Sequence, residues 1–306
     1  MLSIHTRIAR RQLLRHTTHR LLSRRDFTIA IDGPAASGKS STARAVAQEL
    51  GFGYIDSGSI YRCATLLALR QNITDMGEGS ASLADLISHA KVDIKVRPST
   101  SHQTPSLGRL AVPEVQVLLD GEDVSREIRT PEVNRLVAKI ASDSGIRQAV
   151  LHIQRKLAAD AESRSTTSRS ADANDMPGGV VMDGRDIGTT IFPGAELKIY
   201  LDASAMARAI RRWDEMNQMK DVTAQKPAHD PKASVAPAAV YPSVEEIARE
   251  LETRDYADIN RENSPLRIAP DAVVIDNTNL TFAQQVYTIT DLARERMGLE
   301  PKHSDC

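Results

Sequence analysis

The stretch Phe27-Thr-Ile-Ala-Ile-Asp-Gly-Pro-Ala-Ala-Ser-Gly-Lys-Ser-Ser41 joins a short apolar run to a glycine-rich loop. Within it, Gly33, Gly38, Lys39 and Ser40 have the G-x4-G-K-S spacing of a phosphate-binding loop (P-loop), which lies between a predicted strand and a predicted helix. Glycines let consecutive backbone N–H groups converge on phosphate oxygens, and the helix N-terminus adds its positive dipole. The stretch therefore predicts a cradle for the phosphates of a nucleoside triphosphate.

All nine residues of the loop are predicted to contact the triphosphate: Gly33, Pro34, Ala35, Ala36, Ser37, Gly38, Lys39, Ser40 and Ser41. We expect Lys39 to reach the terminal phosphates as a catalytic cation and Ser40 to ligate magnesium. A P-loop by itself does not distinguish a kinase from an ATPase or a GTPase. The chain has no Asn-Lys-x-Asp motif for reading guanine, which argues against a GTPase.

Short β-branched runs alternate with longer helical stretches from Phe27 onward, a pattern typical of βαβ units and a parallel sheet. The predicted fold class is therefore α/β. The predicted strands are 28–31, 54–55, 180–182, 198–201 and 273–275. The predicted helices are 40–50, 59–70, 131–142, 146–161, 205–219, 244–260 and 282–297.

Residues 92–128 have a different pattern, with two strand-like runs and the tight-hairpin dipeptide Asp120-Gly121. They predict a small β insert. Three further stretches, 98–113, 163–179 and 220–242, are predicted to be loops because their low apolar content cannot offset the entropy of ordering.

Composition narrows the function classes. Aromatic residues make up 4% of the 306 residues, too few for the stacking platforms of a single-stranded nucleic-acid-binding protein. No stretch approaches the ~18 to 20 apolar residues needed to cross a bilayer. Cys63 and Cys306 are the only cysteines and the eight histidines lack metal-ligand spacing, so we expect no disulfide framework and no Cys-based metal site. Neither nucleic acid nor a membrane is an expected partner.

The first 25 residues differ from the rest, because they carry seven arginines and no acidic residue. An Arg-rich, Ser/Thr-containing and acid-free segment has the composition of a mitochondrial transit peptide. The alternatives are a basic extension on a cytosolic enzyme, or a gene model that begins too early. The predicted localisation is therefore mitochondrial or cytoplasmic, with the choice left open.

A second group of motifs follows the P-loop in order along the chain. These are Asp56-Ser-Gly-Ser-Ile-Tyr-Arg62, Leu119-Asp-Gly-Glu-Asp-Val-Ser125 with Glu127-Ile-Arg-Thr130, Asp183-Gly-Arg-Asp-Ile-Gly188, and Arg254-Asp-x-x-Asp258-x-x-Arg261. With the P-loop, they resemble the bacterial-type cytidylate kinases of the P-loop nucleoside monophosphate kinase superfamily. The resemblance covers residues 27 to about 297 and leaves out the basic extension.

The resemblance implies a three-layer P-loop fold that transfers the γ-phosphoryl group of ATP to CMP or dCMP, with Mg2+ as cofactor and a monomeric protein. It implies a kinase domain over 26–297, a monophosphate-binding part over about 57–145 that includes the β insert, a lid over about 205–245, and a tail over 298–306. Another P-loop kinase with a different acceptor, or a nucleotide-binding regulatory protein without activity, remains as an alternative.

The resemblance also implies roles for individual residues. The cytosine edge would be read by Ser57, Arg185 and Asp186, with Tyr61 and Arg62 under the base and the acceptor phosphate. That phosphate would be held by Arg147 and Arg261. The ribose would be reached by Arg254 and Asp258. Arg208, Arg211 and Arg212 would supply one or two catalytic contacts to the transferred phosphoryl group, and Asp183 would assist the metal through water. A plain ion-paired helix surface is the alternative for Arg254, Asp258 and Arg261, which are spaced to share one helical face.

Overall fold

The computed structural model describes residues 27–73, 77, 79–97, 110, 112–167, 178–224 and 242–303. The basic extension, residues 304–306 and most of the three predicted loops lie outside the described residues. The strands are β1 Phe27–Asp32, β2 Gly53–Asp56, β3 Val92–Arg97, β4 Glu114–Leu119, β5 Glu122–Asp123, β6 Gly179–Gly184, β7 Leu197–Asp202 and β8 Val273–Asp276. The α-helices are α1 Lys39–Leu50, α2 Ser57–Arg70, α3 Ser80–His89, α4 Pro131–Ser142, α5 Ser144–Thr167, α6 Ala205–Ala224, α7 Val244–Asn260 and α8 Phe282–Arg296.

Five strands form one sheet in the order β2-β6-β1-β7-β8, and all of its pairings are parallel. The sequence therefore predicted the α/β class and all five core strands. Because the strands are parallel, their carboxyl ends share one edge, which is where open α/β sheets bind ligands. In this register Asp32 of β1 is beside Gly184 of β6, and Asp56 of β2 is beside Asp183.

The helices cover the sheet on both faces and produce two large hydrophobic clusters, while a smaller third cluster packs Ala35 of the P-loop against α6 and α7. One cluster packs α1 and α8 against β1 and β7, and includes Val46 and Ile289. The other packs α2, α3, α4 and α5 against β6 and the small sheet, and includes Ile60, Ile146 and Met182. Between them the clusters hold the ends of β1, β2 and β6 in fixed positions relative to the flanking helices.

The small sheet pairs β3, β4 and β5 antiparallel, as expected for residues 92–128. Asp120 and Gly121 both have positive φ, 51° and 87°, which is the backbone that a two-residue hairpin turn of the predicted kind requires. Ile94, Val117 and Leu119 bury their side chains in the same cluster as α2. The β insert is therefore packed onto the helices that follow β2.

The sequence did not predict helix α3. Only Leu83 and Ile87 of this ten-residue helix are buried, and no side chain caps its N-terminus. Leu83, Leu86 and Ile87 have helical spacing, but they cover only one turn of a short segment with three serines, which is too little periodicity to predict a helix. A 3-10 turn at Glu127–Arg129 and a π-helical turn at Ile187–Ile191 were also missed.

Two predicted loops are shorter than expected because the helices before them continue. Helix α5 extends to Thr167 and α6 to Ala224, so the predictions of loop for 163–167 and 220–224 are wrong. A helix can continue through polar residues because its backbone hydrogen bonds are internal, whatever the side chains. Within the described part of the chain, no helix combines the length and the apolar character needed to span a bilayer.

Candidate active site

The P-loop curls between β1 and α1 through three residues with positive φ: Gly33 at 150°, Ala36 at 57° and Gly38 at 85°. A Cβ atom on Gly33 would lie 2.1 Å from the carbonyl oxygen of Leu201, so only glycine fits there. Gly38 is the left-handed residue from which α1 begins. The loop therefore brings its N–H groups and the N-terminus of α1 to one concave surface.

The first half of the P-loop is held by a buried ion pair. The Ala35 N–H donates to Asp255 Oδ1 at 3.0 Å, and Arg208 donates to the Ala35 carbonyl at 2.8 Å and to Asp255 Oδ2 at 2.6 Å. Arg208 also donates to the Ala203 carbonyl at 3.0 Å. Arg208 was expected at the transferred phosphoryl group, but in this structure its guanidinium joins the loop to α7.

The second half of the P-loop is held by two buried amides. Asn277 Nδ2 donates to the Ser37 carbonyl at 2.8 Å and to Gln285 Oε1 at 2.6 Å, and Gln285 Nε2 donates to Thr42 Oγ1 of α1 at 2.9 Å. Arg211, the second of the expected lid arginines, donates to Asn277 Oδ1 at 2.9 Å. The shape of the P-loop thus depends on residues far along the chain as well as on its own glycines.

Lys39 is buried inside the P-loop. Its Nζ donates to the Pro34 carbonyl at 2.5 Å and lies 3.3 Å from Ser37 Oγ. Burial, followed by the positive charge of Arg185, holds the pKa of the Lys39 ammonium well below its usual value, while Asp183 and Asp32 oppose that shift. A negative group at this position would therefore stabilise the charged lysine.

Ser40 and Asp183 meet at the N-terminus of α1. Ser40 Oγ donates to Asp183 Oδ2 at 2.6 Å, and the Tyr54 hydroxyl donates to Asp183 Oδ1 at 2.8 Å. Burial raises the pKa of Asp183 to about 6, and the charge of Asp56 acts in the same direction. The described residues contain no cluster of three or more His, Cys, Asp or Glu side chains arranged for a metal ion. One hydroxyl and one carboxylate are the donors available here.

Asp32 connects the P-loop to the segment 184–188. Its two carboxylate oxygens accept from the backbone N–H groups of Ile187 at 2.9 Å and Gly188 at 2.7 Å. Burial raises the pKa of Asp32 to about 6, although these two hydrogen bonds favour the charged form. By holding the start of the π-helical turn, Asp32 sets the direction in which Arg185 and Asp186 leave β6.

Five side chains form what we call the arginine–carboxylate cluster: Arg147, Arg185, Asp186, Asp258 and Arg261. Arg147 donates to Asp186 Oδ2 in a buried ion pair, and Arg261 Nη2 lies 3.6 Å from Asp186 Oδ1. Arg185 Nε donates to Asp258 Oδ2 at 2.8 Å, and Arg261 Nη1 lies 3.8 Å from Asp258 Oδ1. Burial, and then the charge of Arg147, lower the pKa of Arg261. These residues come from two separate motifs and from helix α5, and the fold brings them together.

One expectation for α7 is wrong. Arg261 does not continue the helical face of Arg254 and Asp258, because α7 ends at Asn260 and Arg261 has extended backbone with ψ at 142°. Its guanidinium turns back to donate to the Ser264 carbonyl at 2.8 Å. From this position beyond the end of the helix, the Arg261 guanidinium lies near both Asp186 and Asp258 of the cluster.

Arg62 and Arg254 lie beside the cluster and bring further positive charge. Arg62 donates to the Ile128 carbonyl at 3.1 Å and to Asn134 Oδ1 at 2.6 Å. Burial lowers the pKa of Arg62 while Asp56 opposes the shift, and other arginines including Arg212 and Arg185 lower it further. Arg254 extends from α7 within electrostatic reach of Arg185 and Asp258. Like charges close enough to disfavour one another indicate a site for a polyanion.

A cavity of about 140 Å3 lies next to the cluster. It is lined by Tyr61, Arg147, Gln148, Leu151, Gln154, Asp186, Thr190, Ile191 and Ser264. The Arg147 guanidinium lies over the Tyr61 ring at 5.5 Å from its centroid. Ser57 does not line the cavity directly but accepts a hydrogen bond from Gln154 Nε2 at 2.8 Å. An engineered cavity of about 150 Å3 binds benzene, so this one has room for a six-membered ring.

The third expected lid arginine, Arg212, differs from the other two. Its guanidinium is about half exposed and pairs with Glu215 at 3.1 Å, one helical turn away. Its positive charge nevertheless helps to lower the pKa of Arg62. Among the three expected lid arginines, Arg212 makes the weakest interactions in this structure, so it would lose the least on moving to another partner.

Sequence reasoning missed four residues that shape this region: Asp32, Gln154, Asp255 and Asn277. A sequence signal existed for two of them. Asp32 is an acid that directly follows an apolar strand and precedes Gly33, and Gln154 is seven residues after Arg147, hence on the same face of α5. Asp255 and Asn277 had no such signal, because their partners are the backbone of Ala35 and Ser37, more than 200 residues earlier.

The chain is similar to known proteins over most of its length. The family model described as "Cytidylate kinase" matches residues 29–228 and 232–295. Similar curated proteins, each called cytidylate kinase, come from Lactobacillus johnsonii (35% identity, 88% of this chain and 94% of the relative), Pelodictyon phaeoclathratiforme (38%, 88% and 95%) and Bacillus velezensis (37%, 88% and 97%). The match to the family model includes the P-loop, the segment 183–188 and the residues around Arg254. The chain belongs to the cytidylate kinase family.

Proposed function

We propose that this protein is a kinase that transfers the γ-phosphoryl group of ATP to CMP or dCMP, giving ADP and CDP or dCDP. The observation that carries the proposal is the shared edge of the sheet, where the P-loop after β1 adjoins the arginine–carboxylate cluster after β6. Two phosphate-bearing ligands bound at these places would meet end to end. The acceptor phosphate would itself be the nucleophile, so no covalent intermediate on the protein is needed.

The P-loop is proposed as the ATP site. Its N–H groups and the N-terminus of α1 would bind the phosphates, and Lys39 would exchange the Pro34 carbonyl for a phosphate oxygen. Lys39 is buried and Arg185 disfavours its charge. A negatively charged phosphate would therefore stabilise the ammonium more strongly than the neutral Pro34 carbonyl does. Transfer would then depend on positioning and charge stabilisation.

Mg2+ fits beside the P-loop, and Ser40 and Asp183 are the residues proposed to hold it. Their oxygens are hard donors of the kind magnesium takes, and one or two protein ligands suffice because the ion keeps waters and phosphate oxygens. The ion would supply charge neutralisation to the phosphates. Ser40 would exchange its hydrogen bond to Asp183 for the ion, so both groups would be freed at once.

The arginine–carboxylate cluster and the cavity are proposed as the CMP site. Arg147, Arg261 and Arg62 would hold the acceptor phosphate, and Arg254 with Asp258 would reach the ribose. Asp186, held by Arg147, would present a carboxylate to the exocyclic amine of cytosine, as acidic side chains do in DNA readout. Ser57, Tyr61 and Arg185 complete this site in the proposal.

The lid is proposed to cover about 205–245, with the monophosphate-binding part at about 57–145. Within α6, we assign the transferred phosphoryl group to Arg212 and Arg211, and we assign Arg208 to holding the P-loop. Closure would exclude water and so suppress hydrolysis of ATP. The monomeric state and the localisation remain predictions, and the bacterial relatives lend no support to the mitochondrial alternative.

The proposal is tested by measuring ADP formation by the purified full chain with ATP, Mg2+ and, in turn, CMP, dCMP, UMP, AMP and GMP. We expect turnover with CMP and dCMP, weaker turnover with UMP and none above background with the purines. Turnover with AMP or GMP in place of CMP would establish a different monophosphate kinase. ATP binding without turnover on any acceptor would establish a nucleotide-binding protein without activity.

A further inference from the structure

Gln154 presents a polar atom that nothing in the described structure satisfies. The side chain is fully buried in α5, and its Nε2 donates to Ser57 Oγ at 2.8 Å. Its other polar atom, Oε1, is buried and has no hydrogen-bond partner among the described residues. A buried acceptor without a partner is uncommon in folded proteins and calls for an explanation.

The position of this atom supplies one. Gln154 lines the cavity of about 140 Å3 together with Tyr61 and Asp186. Ser57 accepts from the amide nitrogen, so the polar atom of Gln154 that remains without a partner beside the cavity is the acceptor Oε1. A base that carries a donor group at its edge would satisfy Oε1, and a base that carries a carbonyl there would not.

Other acceptors in the cavity are less available. Both carboxylate oxygens of Asp186 already face arginines, Oδ2 toward Arg147 and Oδ1 toward Arg261. Gln148 also lines the cavity, but it is exposed and free to bind water. The exocyclic amine of cytosine has two N–H donors, so Gln154 can accept from one of them while the Asp186 carboxylate, which its arginines share, accepts from the other.

The geometry points to Gln154 as a specificity-determining residue of the acceptor site: Oε1 accepts a hydrogen bond from the exocyclic amine of cytosine, and Ser57 holds the amide in that orientation. This inference rests on the proposed function, and it gives the chain a preference for cytosine over uracil, which has a carbonyl oxygen in place of the amine. Reversing the amide to serve uracil requires the Ser57 hydroxyl to exchange its role as acceptor for that of donor.

The experiment compares kcat/KM for CMP and for UMP in the full chain, with saturating ATP and Mg2+. The test variant is Gln154→Met, which keeps the length of the side chain and removes both polar atoms. We expect kcat/KM for CMP to fall by roughly three- to tenfold, the size of one neutral hydrogen bond, with a smaller change for UMP. The CMP-to-UMP ratio therefore falls. The matched control is Gln148→Met, on the same helix and the same cavity, for which the ratio stays at the wild-type value.

A second variant separates recognition from folding. Gln154→Glu keeps an acceptor in place, and its ionised carboxylate has no donor for uracil, so at a pH where the carboxylate is ionised the CMP-to-UMP ratio should equal or exceed that of the wild type. If thermal unfolding shows that Gln154→Met does not fold, Gln154→Glu becomes the test of the inference. A CMP-to-UMP ratio for Gln154→Glu below the wild-type value then overturns it. Equal losses for CMP and UMP in a folded Gln154→Met would also overturn it, since a purely structural role predicts them. Absence of CMP turnover in the wild type would instead reject the proposed function.

Discussion

The P-loop and the arginine–carboxylate cluster both bind phosphate in the proposed mechanism, but they are built in opposite ways. The P-loop is nine consecutive residues, and its curvature comes from positive-φ positions within it. The cluster draws Arg147, Arg185, Asp186, Asp258 and Arg261 from α5, the end of β6 and the end of α7. In the P-loop the polar groups are mostly backbone N–H, and in the cluster they are charged side chains.

This difference has a consequence for ligand binding. The backbone fixes the N–H groups of the P-loop, and the N–H of Ala35 is an exception to their phosphate role because it donates to Asp255. The arginines of the cluster are paired with Asp186 and Asp258, so an incoming phosphate must share or replace those partners. We therefore expect substitutions in the P-loop to act on catalysis, and substitutions in the cluster to act chiefly on the KM of the acceptor.

The largest expected effect is that of Lys39→Met, which removes the one side-chain cation of the P-loop. We expect kcat to fall by about 10²- to 10³-fold, as for loss of a single group that stabilises transition-state charge. The measurement is steady-state ADP formation with CMP. Lys91→Met, at an exposed lysine just before β3, is the control and should leave kcat unchanged. A loss below about fivefold, well under the range for such a group, would remove Lys39 from the catalytic machinery.

Asp186→Asn tests the cluster. The substitution takes away the charge that pairs Arg147 and approaches Arg261, so both arginines lose orientation. We expect kcat/KM for CMP to fall by about 10- to 100-fold, the range for hydrogen bonds to charged groups, mostly through KM for CMP and with little change in KM for ATP.

The control is Asp271→Asn, which breaks the ion pair between an exposed carboxylate and Lys198. It should change neither KM. An Asp186→Asn enzyme with a normal KM for CMP and a raised KM for ATP would contradict the separation of the two sites.

Arg212→Gln asks whether α6 contributes to transfer. Its only described ion pair is an exposed one with Glu215, so the free energy of unfolding should change by no more than ~0.5 kcal/mol. If Arg212 contacts the transferred phosphoryl group, kcat falls by about tenfold, the lower end for one charge-assisted hydrogen bond.

Arg135→Gln breaks a comparable exposed pair, with Glu132 on α4, and serves as the matched control. Equal kcat values for Arg212→Gln and this control would exclude Arg212 from the chemistry, and the assignment would move to Arg211.

The smallest effect concerns Asp32, which joins the two regions. Its pKa of about 6 in the folded protein exceeds the unfolded value of about 3.9, so the folded state binds more protons in this window and stability decreases as the pH rises through it. The amide introduced by Asp32→Asn does not titrate, so the variant lacks this loss. The stability deficit of Asp32→Asn is the free energy of unfolding of the wild type minus that of the variant. This difference should therefore shrink by ~1 to 2 kcal/mol between about pH 4.5 and pH 7.5.

Urea unfolding of both proteins across this pH range measures the difference, and the other carboxylates cancel because both proteins contain them. A deficit that grows with pH would mean that the hydrogen bonds from Ile187 and Gly188 outweigh burial. The pKa of Asp32 would then be lowered in the folded protein.

Much of the fold could be predicted from the sequence. The five core strands and the hairpin at Asp120 were identified because each depends on neighbours within a few residues, such as β-branched runs or a dipeptide that tolerates positive φ. Helix α3 was missed because its two buried residues make sense only against α2 and α5. The ends of α5 and α6 were misplaced because polar composition says little about where backbone hydrogen bonding stops.

The candidate site also contains features that depend on neighbouring residues and features that depend on distant ones. The P-loop, Gly33 to Ser41, could be recognised directly. Its residues are consecutive, so their spacing in the sequence also determines how close they lie in space. The partners of these residues could not be recognised in this way, because Arg208 meets Asp255 and Asn277 meets Ser37 only after the helices pack. Arginine roles were assigned by resemblance, and only the structure shows that Arg208 pairs with Asp255 beside the loop.

The sequence by itself determined that this protein has a P-loop on an α/β sheet and belongs among monophosphate kinases, because those conclusions rest on local patterns and their order. Only the tertiary structure decided which arginines pair with which carboxylates, that Asp32 joins the two regions, and that Gln154 has a buried acceptor without a partner beside a cavity the size of one ring. The physical reason is that burial and electrostatic pairing depend on distances between residues from different elements, and those distances exist only once the sheet and helices have packed.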